Sequence, residues 1–262
     1  MIDRIADYWD AIPCNSTDAE QAPDADVYFD ETERKKYEEE RHIKPFAQFA
    51  QWKGKKVLEI GTGIGIDASN FARAGAFYTG IDLSQKSLEL CKKRFTSYHL
   101  NGNFFHGSAE ALSSIVPTEP YDLIYSFGVI HHTSCPQRVI EELKKYCGPN
   151  TEVRIMLYAR WSWKVLRIVL VPGRGAFWKR DELVKKYSEG QQDCPVIYTY
   201  TFREVRKLLR GFTITSMRKE YLSLFGIEKD LISHLPTFFT KILERILGWN
   251  ILITGHISEN TR

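Results

Sequence analysis

The sequence of 262 residues lacks several features, and each absence narrows the class of protein. It contains no run of about 18 apolar residues, so no membrane span is expected, and its acidic N-terminal stretch predicts no signal peptide. Its five cysteines are scattered without a C-x-x-C pair, which argues against a zinc site or a disulfide framework. A reducing, cytoplasmic compartment is therefore expected.

Charge excess and repetition are also missing. The net charge is +3, too small to argue for a nucleic-acid partner, and no repeat or low-complexity tract occurs. The chain is rich in apolar residues: 43% of its residues are hydrophobic and 13% are aromatic. That composition can form a sizeable core, and the length favours one large domain or a core with a modest insertion.

Residues 55–82, KKVLEIGTGIGIDASNFARAGAFYTGID, read as a strand, a glycine-rich turn, a helix and a second strand. The apolar run around Leu58 is typical of a central parallel strand. Three glycines follow at alternate positions, where the chain must turn and a ligand can approach the bare backbone: Gly61, Gly63 and Gly65. Asp82 ends the second strand, where a carboxylate would hold the hydroxyls of a nucleoside ribose.

The spacing of these glycines separates two kinds of nucleotide site. A dinucleotide site usually has G-x-G-x-x-G, whereas this turn has G-x-G-x-G preceded by Glu59, an acid that suits a cationic ligand better than a pyrophosphate. The segment resembles motif I of the class I S-adenosylmethionine (SAM)-dependent methyltransferases, E/D-x-G-x-G-x-G. A Rossmann-like turn that binds NAD, or no ligand, is the alternative.

Two later segments strengthen the resemblance. Residues 107–112, GSAEAL, follow the predicted strand Asn103–His106 and are similar to the third cofactor motif of that family. The predicted strand Tyr121–Phe127 and the residues after it, YDLIYSFGVIHH in all, resemble motif IV. The nearest members are type 11/25-like enzymes of quinone biosynthesis and secondary metabolism. The resemblance implies an α/β, Rossmann-like fold, with a seven-stranded, mostly parallel sheet, helices on both faces and a helical lid insertion.

The resemblance also implies where SAM would lie, with its methionine part at the glycine turn, its ribose at Asp82 and its adenine at Leu83 and residues 108–109. The expected cofactor residues are Glu59, Gly61, Thr62, Gly63, Gly65, Asp82, Leu83, Ser108, Ala109, Glu110, Phe127, Gly128 and Arg41. Arg41 is the candidate for the methionine carboxylate, because a guanidinium binds a carboxylate through two bonds. It lies on a helix predicted at residues 31–51 and broken near Pro45, and a surface arginine is the alternative.

The chain divides into four predicted parts: a helical segment over the cofactor at 1–52, the SAM-binding core at 53–158, an insertion at 159–200 and the completion of the sheet at 201–262. The insertion is aromatic and basic, and we interpret it as a lid over the acceptor, since long insertions in compact domains tend to be functional. A solvated helical cap is the alternative. A helix predicted at 222–247 carries an apolar face that is expected to pack on the core. The alternative is that this face contacts an apolar substrate or a membrane surface.

Methyl transfer from a sulfonium is an in-line displacement, so the protein must align two groups and exclude water. An oxygen nucleophile also needs a base, and His132 and His131 follow the fourth predicted strand beside the expected methyl position. Either histidine could instead only fix the loop by hydrogen bonds. Tyr158, at the end of the fifth strand, is the candidate for positioning the acceptor. No metal is expected, because no acid cluster with suitable spacing follows the fourth strand.

The sequence therefore predicts a SAM-dependent methyltransferase that releases S-adenosylhomocysteine and acts on a small anionic or aromatic acceptor. Oxygen is the first choice of acceptor atom, ahead of nitrogen and carbon. Two alternatives stay open: an RNA methyltransferase that uses the basic insertion, and a non-catalytic SAM-binding protein. Against the RNA alternative, the sequence has no N-P-P-Y-like motif and no appended RNA module. The oligomeric state is not predicted.

Overall fold

A computed structural model describes residues 1–17, 24–222 and 237–258. Its centre is a seven-stranded sheet in the order β3-β2-β1-β4-β5-β7-β6. The strands are β1 (Lys56–Ile60), β2 (Phe77–Asp82), β3 (Asn103–His106), β4 (Tyr121–Phe127), β5 (Cys147–Tyr158), β6 (Phe212–Glu220) and β7 (Asn250–Ile257). Strand β7 is antiparallel to both of its neighbours, and the other pairings are parallel. The predicted α/β, Rossmann-like fold is confirmed.

Ten helices are described around this sheet. They are α1 (Ile2–Ala11), α2 (Ala25–Glu39), α3 (Ile43–Ala47), α4 (Ile66–Arg73), α5 (Gln85–Ser97), α6 (Pro136–Lys144), α7 (Trp163–Leu170), α8 (Arg180–Tyr187), α9 (Phe202–Leu208) and α10 (Thr237–Leu247). Local chemistry explains several starts. Ser84 caps α5 by accepting a hydrogen bond from the Ser87 N–H, and Thr201 and Glu204 form a capping box at α9.

The central strands are buried on both faces, as their unbroken apolar runs predict. Leu58 and Ile60 of β1 face one apolar core, and Val57 faces the other. Strand β4 behaves in the same way, with Ile124 in the first core and Tyr125 in the second. Burial on both faces fixes the register of these strands, and it therefore fixes the positions of the loops at their carboxyl ends.

The region before β1 differs from the single helix predicted at residues 31–51. Helix α2 begins earlier, at Ala25, and the break falls at residues 40–42 rather than at Pro45. Pro45 lies in the first turn of α3, where its missing N–H leaves no helical bond unmade. The buried Arg154 guanidinium of β5 donates to the carbonyls of Phe46 and Ala47, which holds α3 against the sheet.

The C-terminal helix is described only as α10, so residues 223–236 of the helix predicted at 222–247 lie outside the described residues. The apolar face of α10 was expected to pack on the core, but several of its side chains are exposed: Phe238, Phe239, Ile242 and Ile246. That expectation is wrong for these four residues. Within the described ranges, no helix combines the length and the apolar character needed to cross a bilayer.

Candidate cofactor and acceptor site

A cavity of about 560 Å³ opens at the carboxyl ends of the central strands, where the strand order reverses between β1 and β4. In open α/β sheets this switch point is where ligands bind. Thirteen of the residues predicted for the site line it: Glu59, Gly61, Thr62, Gly63, Asp82, Leu83, Ser108, Ala109, Glu110, Phe127, Gly128, His132 and Tyr158. Three predicted residues, Gly65, Arg41 and His131, lie outside its lining.

The glycine turn needs glycine for two different reasons. Gly61, Gly63 and Gly65 all have positive φ, at 80°, 52° and 83°. A Cβ on Gly61 would lie 2.1 Å from Val129 Cγ2, and one on Gly65 would lie 2.7 Å from Cys91 Sγ. A Cβ on Gly63 would meet nothing within 4 Å. Two of the glycines therefore permit close packing of the turn, while Gly63 leaves backbone open to a ligand.

Asp82 joins the glycine turn to the loop after β2. Its Oδ2 accepts from the Gly63 N–H at 2.7 Å, and its Oδ1 accepts from the Ser84 N–H at 2.8 Å. Burial raises the pKa of this carboxyl to about 6, and the two backbone hydrogen bonds oppose the shift. Each oxygen keeps a lone pair, so the carboxylate can still accept two hydroxyl groups from the cavity.

Two further carboxylates beside the turn are buried and hydrogen-bonded to tyrosines. Glu59 Oε2 accepts from the Tyr78 hydroxyl at 2.6 Å, and Asp67 accepts from Tyr37 and Tyr125 at 2.8 and 2.7 Å. Burial raises the pKa of both acids, and for Glu59 the nearby Asp67 adds to the shift. A cationic ligand at the turn would favour the ionised forms of these acids and so oppose the effect of burial. The sequence argument missed Asp67 and its two tyrosines.

The adenine end of the predicted site is held by a hydrogen-bonded loop. Ser108 Oγ accepts from the Glu110 N–H at 3.2 Å, which leaves its hydroxyl able to make another bond. Glu110 Oε1 accepts from the Ser134 N–H and Oγ, both at 2.7 Å, and from the Cys135 N–H at 3.1 Å. Glu110 thus fixes the segment that enters α6, and this structural role explains its burial.

Arg41 does not reach the cavity. Helix α2 ends at Glu39, so Arg41 lies in the exposed turn beyond it, with Nε donating to the Glu38 carbonyl at 3.3 Å. The cavity is lined instead by Lys36, within α2, whose ammonium bonds the Glu40 carboxylate. Arg41 was predicted on the helix that covers the cofactor, but α2 ends before it and it lies outside the cavity lining.

The two histidines differ in their surroundings. His132 lines the cavity, and its Nδ1 lies 2.9 Å from the Val196 carbonyl, so Nδ1 carries the proton in the neutral ring. Its Nε2 is enclosed and makes no hydrogen bond within the described residues. His131 is fully buried outside the cavity, with its ring 3.8 Å from that of Tyr158, and burial holds its pKa well below the usual value. His131 is therefore corrected from a candidate base to a core residue.

Residues of α1 and of the insertion, residues 159–200, also line the cavity. The Tyr8 hydroxyl donates to the Gln191 carbonyl, and the Gln191 amide donates to the Tyr8 carbonyl, both at 2.6 Å. The Trp9 ring lies edge-on to His132 with centroids 5.1 Å apart, and Tyr158 stacks on Trp249 at 4.1 Å. The aromatic residues Tyr8 and Trp9 are a sequence signal that the N-terminal segment could line a binding site, whereas nothing in the sequence marks Gln191.

Comparison with known proteins agrees with this geometry. The family described as a methyltransferase domain matches residues 57–150, which include the glycine turn, Asp82 and the segment from 128 to 133. Residues 57–150 thus form a methyltransferase domain of the class I SAM-dependent type. The cofactor is SAM, and the open space at Gly63 and the buried carboxylate of Asp82 leave room and hydrogen-bonding capacity for it.

Curated relatives match part of this chain. A ubiquinone biosynthesis O-methyltransferase of Glaesserella parasuis is 28% identical over 59% of this chain and 72% of its own length. The mitochondrial one of Schizosaccharomyces pombe is 34% identical, over 41% of this chain and 39% of its own length. The chain thus spans less than half of several such relatives.

The fold is similar to that of two solved proteins over nearly the whole chain. The magnesium protoporphyrin IX methyltransferase of Synechocystis with bound S-adenosylhomocysteine has a TM-score of 0.60 at 14% identity, covering 97% of this chain and 98% of its own. The PH0226 protein of Pyrococcus horikoshii has a TM-score of 0.59 at 15% identity, covering 96% and 99%. At such low identities the likeness shows the fold and gives no information on the substrate.

Proposed function

We propose that this methyltransferase moves the methyl group of SAM to a hydroxyl group of a small acceptor. The observation that carries the proposal is one cavity that joins the cofactor residues to His132, whose Nε2 makes no hydrogen bond within the described part of the chain. Relatives named as O-methyltransferases support the choice of oxygen. Nitrogen and carbon acceptors rank behind.

Within the proposed complex, SAM lies along the glycine turn with its ribose on Asp82 and its adenine near Leu83 and Ser108. The cationic end of SAM would favour the ionised forms of the buried acids Glu59 and Asp67. Lys36 replaces Arg41 as the cation for the methionine carboxylate, because its side chain lines the cavity from α2.

The acceptor would enter between α1 and the insertion, which we propose as the lid. Three aromatic rings line this half of the cavity, those of Trp9, Tyr158 and Trp249. Such walls favour a flat, apolar acceptor such as a phenol. Burial raises the pKa of Tyr158 far above its usual value, so Tyr158 stays neutral and positions the acceptor rather than taking its proton.

The protein's contribution to the reaction is alignment, exclusion of water and removal of one proton. His132 Nε2 would accept the hydroxyl proton, while its Nδ1–H remains on the Val196 carbonyl and keeps the ring oriented. Because Trp9 and Glu189 enclose Nε2, one of these side chains must move aside to admit the hydroxyl.

An RNA acceptor receives less support from the same cavity. Of the basic residues of the insertion, Lys164 lines it, whereas the others fall outside its lining: Arg160, Arg167, Arg174, Lys179, Arg180, Lys185 and Lys186. We propose a cytoplasmic small-molecule enzyme rather than an RNA-modifying one.

Calorimetry with SAM and NAD, followed by transfer of labelled methyl to phenol and catechol, tests the proposal. We expect SAM and S-adenosylhomocysteine to bind, NAD not to bind, and label to reach a phenolic oxygen. Tight SAM binding with no transfer to any hydroxyl compound of a metabolite extract would support a non-catalytic SAM-binding protein instead, and NAD binding without SAM binding would contradict the cofactor.

A further inference from the structure

The structure brings a carboxylate of the insertion next to the proposed base. Glu189 lies two residues beyond the end of α8 and lines the same cavity as His132. Its Oε1 is 3.9 Å from His132 Nε2, and the two side chains are 11% and 4% exposed. A carboxylate and an imidazole this close, and this well shielded from water, interact strongly once the imidazole is protonated.

Residues before and after Glu189 hold it in position. Gln191, two residues later, makes its reciprocal hydrogen bonds with Tyr8 of α1. Ser188, one residue earlier, is buried and donates to Glu189 Oε1 at 3.3 Å. The contact between α1 and the insertion therefore places the Glu189 carboxylate next to His132.

We propose that Glu189 is a positioning residue that stabilises the protonated His132 formed during methyl transfer. The inference rests on the proposed function, because it assigns His132 as the base. In the step, the acceptor O–H bond breaks and its proton moves to His132 Nε2. The oxygen electron pair forms the bond to the methyl carbon, and the methyl–sulfur electron pair stays on sulfur, which gives neutral S-adenosylhomocysteine. Glu189 then faces the new Nε2–H.

The other groups around His132 do not supply this negative charge. Lys164 of α7 opposes protonation. His131, whose ring centroid is 4.4 Å away, adds no negative charge, because burial holds its own pKa well below the usual value. Cys194 Sγ is 3.5 Å from Nδ1, and burial raises the pKa of its thiol to about 12, so it is neutral. Burial lowers the pKa of His132, and Glu189 is the carboxylate that opposes this. Removing it leaves the imidazolium without a counter-charge.

The test follows the His132 ring directly by NMR in the full chain bound to S-adenosylhomocysteine. The spectrum of His132→Asn identifies its signals among the seven histidines. We expect Glu189→Gln to lower the titration midpoint of His132 by about one pH unit, the equivalent of a tenfold change in proton affinity. The matched control is Glu182→Gln, an exposed acid of α8, which should leave the midpoint unchanged.

Kinetics with catechol as the acceptor provide the second measurement. Glu189→Gln should lower kcat about tenfold and move the acid limb of the pH profile to lower pH, while Glu189→Asp recovers part of the rate. The dissociation constant for SAM should not change. An unaltered His132 midpoint in folded Glu189→Gln overturns the inference, whether or not catechol is methylated. A shifted midpoint in a protein that methylates no hydroxyl supports the pairing and counts against the proposed function.

Discussion

The two halves of the cavity are built in different ways. The cofactor half consists of strand ends and backbone, with the Gly63 N–H bonded to Asp82 and buried acids beside it. The acceptor half consists of side chains from segments far apart in sequence, as the Tyr8–Gln191 pair shows. The first half can keep its shape when side chains vary, whereas the second can be rebuilt for another acceptor without altering the sheet.

The halves also differ in their electrostatics. The cofactor half gathers Glu59, Asp67 and Asp82, and burial raises the pKa of all three. The acceptor half gathers His132 and Lys164, and burial lowers the pKa of both. Mutations should therefore separate into those that change SAM affinity and those that change turnover.

The largest effect is expected from Gly61→Ala in the cofactor half. Its Cβ would lie 2.1 Å from a Val129 methyl group, and φ is 80°. Strain and overpacking together should cost about 2–4 kcal/mol of unfolding free energy, and SAM binding should weaken more than tenfold. Thermal melts and calorimetry measure both.

The matched control for that change is Gly54→Ala, also at positive φ, where the new Cβ meets nothing within 4 Å. It should lose about 1 kcal/mol and bind SAM normally. Equal losses in the two variants would mean that packing on Val129 does not shape the turn.

The next largest effect belongs to the acceptor half. His132→Asn keeps an amide donor near the position of Nδ1 for the Val196 carbonyl and removes the basic Nε2. Turnover should fall about 100-fold, the low end for loss of a general base, while SAM affinity changes less than twofold. Rapid-mix methyl transfer and calorimetry check this, and wild-type turnover in the variant would assign His132 a structural role.

The smallest effect is a pH dependence of SAM affinity. Asp82 has a pKa of about 6 in the free protein, and ribose hydroxyls that donate to it favour the ionised form. SAM affinity should therefore fall as pH drops below about 6, by at most tenfold per pH unit. Asp82→Asn should remove this dependence, and a persistent slope would assign it to another group.

The same raised pKa acts on stability with the opposite sign. Folding favours the protonated form of Asp82, whose unperturbed pKa is 3.8. Its contribution to stability is therefore lost as pH rises from about 4 to about 6, before SAM is added.

The sequence was sufficient for the sheet, and for the glycine turn and Asp82 in the cofactor half, because these follow from local patterns. Buried apolar runs located β1 and β4, and the alternate glycines located the turn. Motif spacing then placed Asp82 and Ser108 at one edge, since parallel strands end together. The roles of these residues toward SAM stay predictions.

The remainder depends on contacts between distant residues, which carry no local pattern. Glu189 faces His132 across 57 positions because the residues that follow α8 line the cavity. Asp67 lies in the first turn of α4, and its hydrogen bonds come from Tyr37 and Tyr125, which are distant in sequence. The end of α2 decides which cation lines the cavity, and the sequence placed that end too late to exclude Arg41.

Asp82 and Trp249 line the same cavity, and this has a consequence for inhibitor design. A compound that joins an adenosine-like group to a phenol by a short tether would occupy both halves at once. The second group would bind at the effective concentration set by the tether, in the millimolar range for short flexible linkers. Its affinity should exceed that of either fragment, and different phenols on a fixed adenosine would report the shape of the acceptor half.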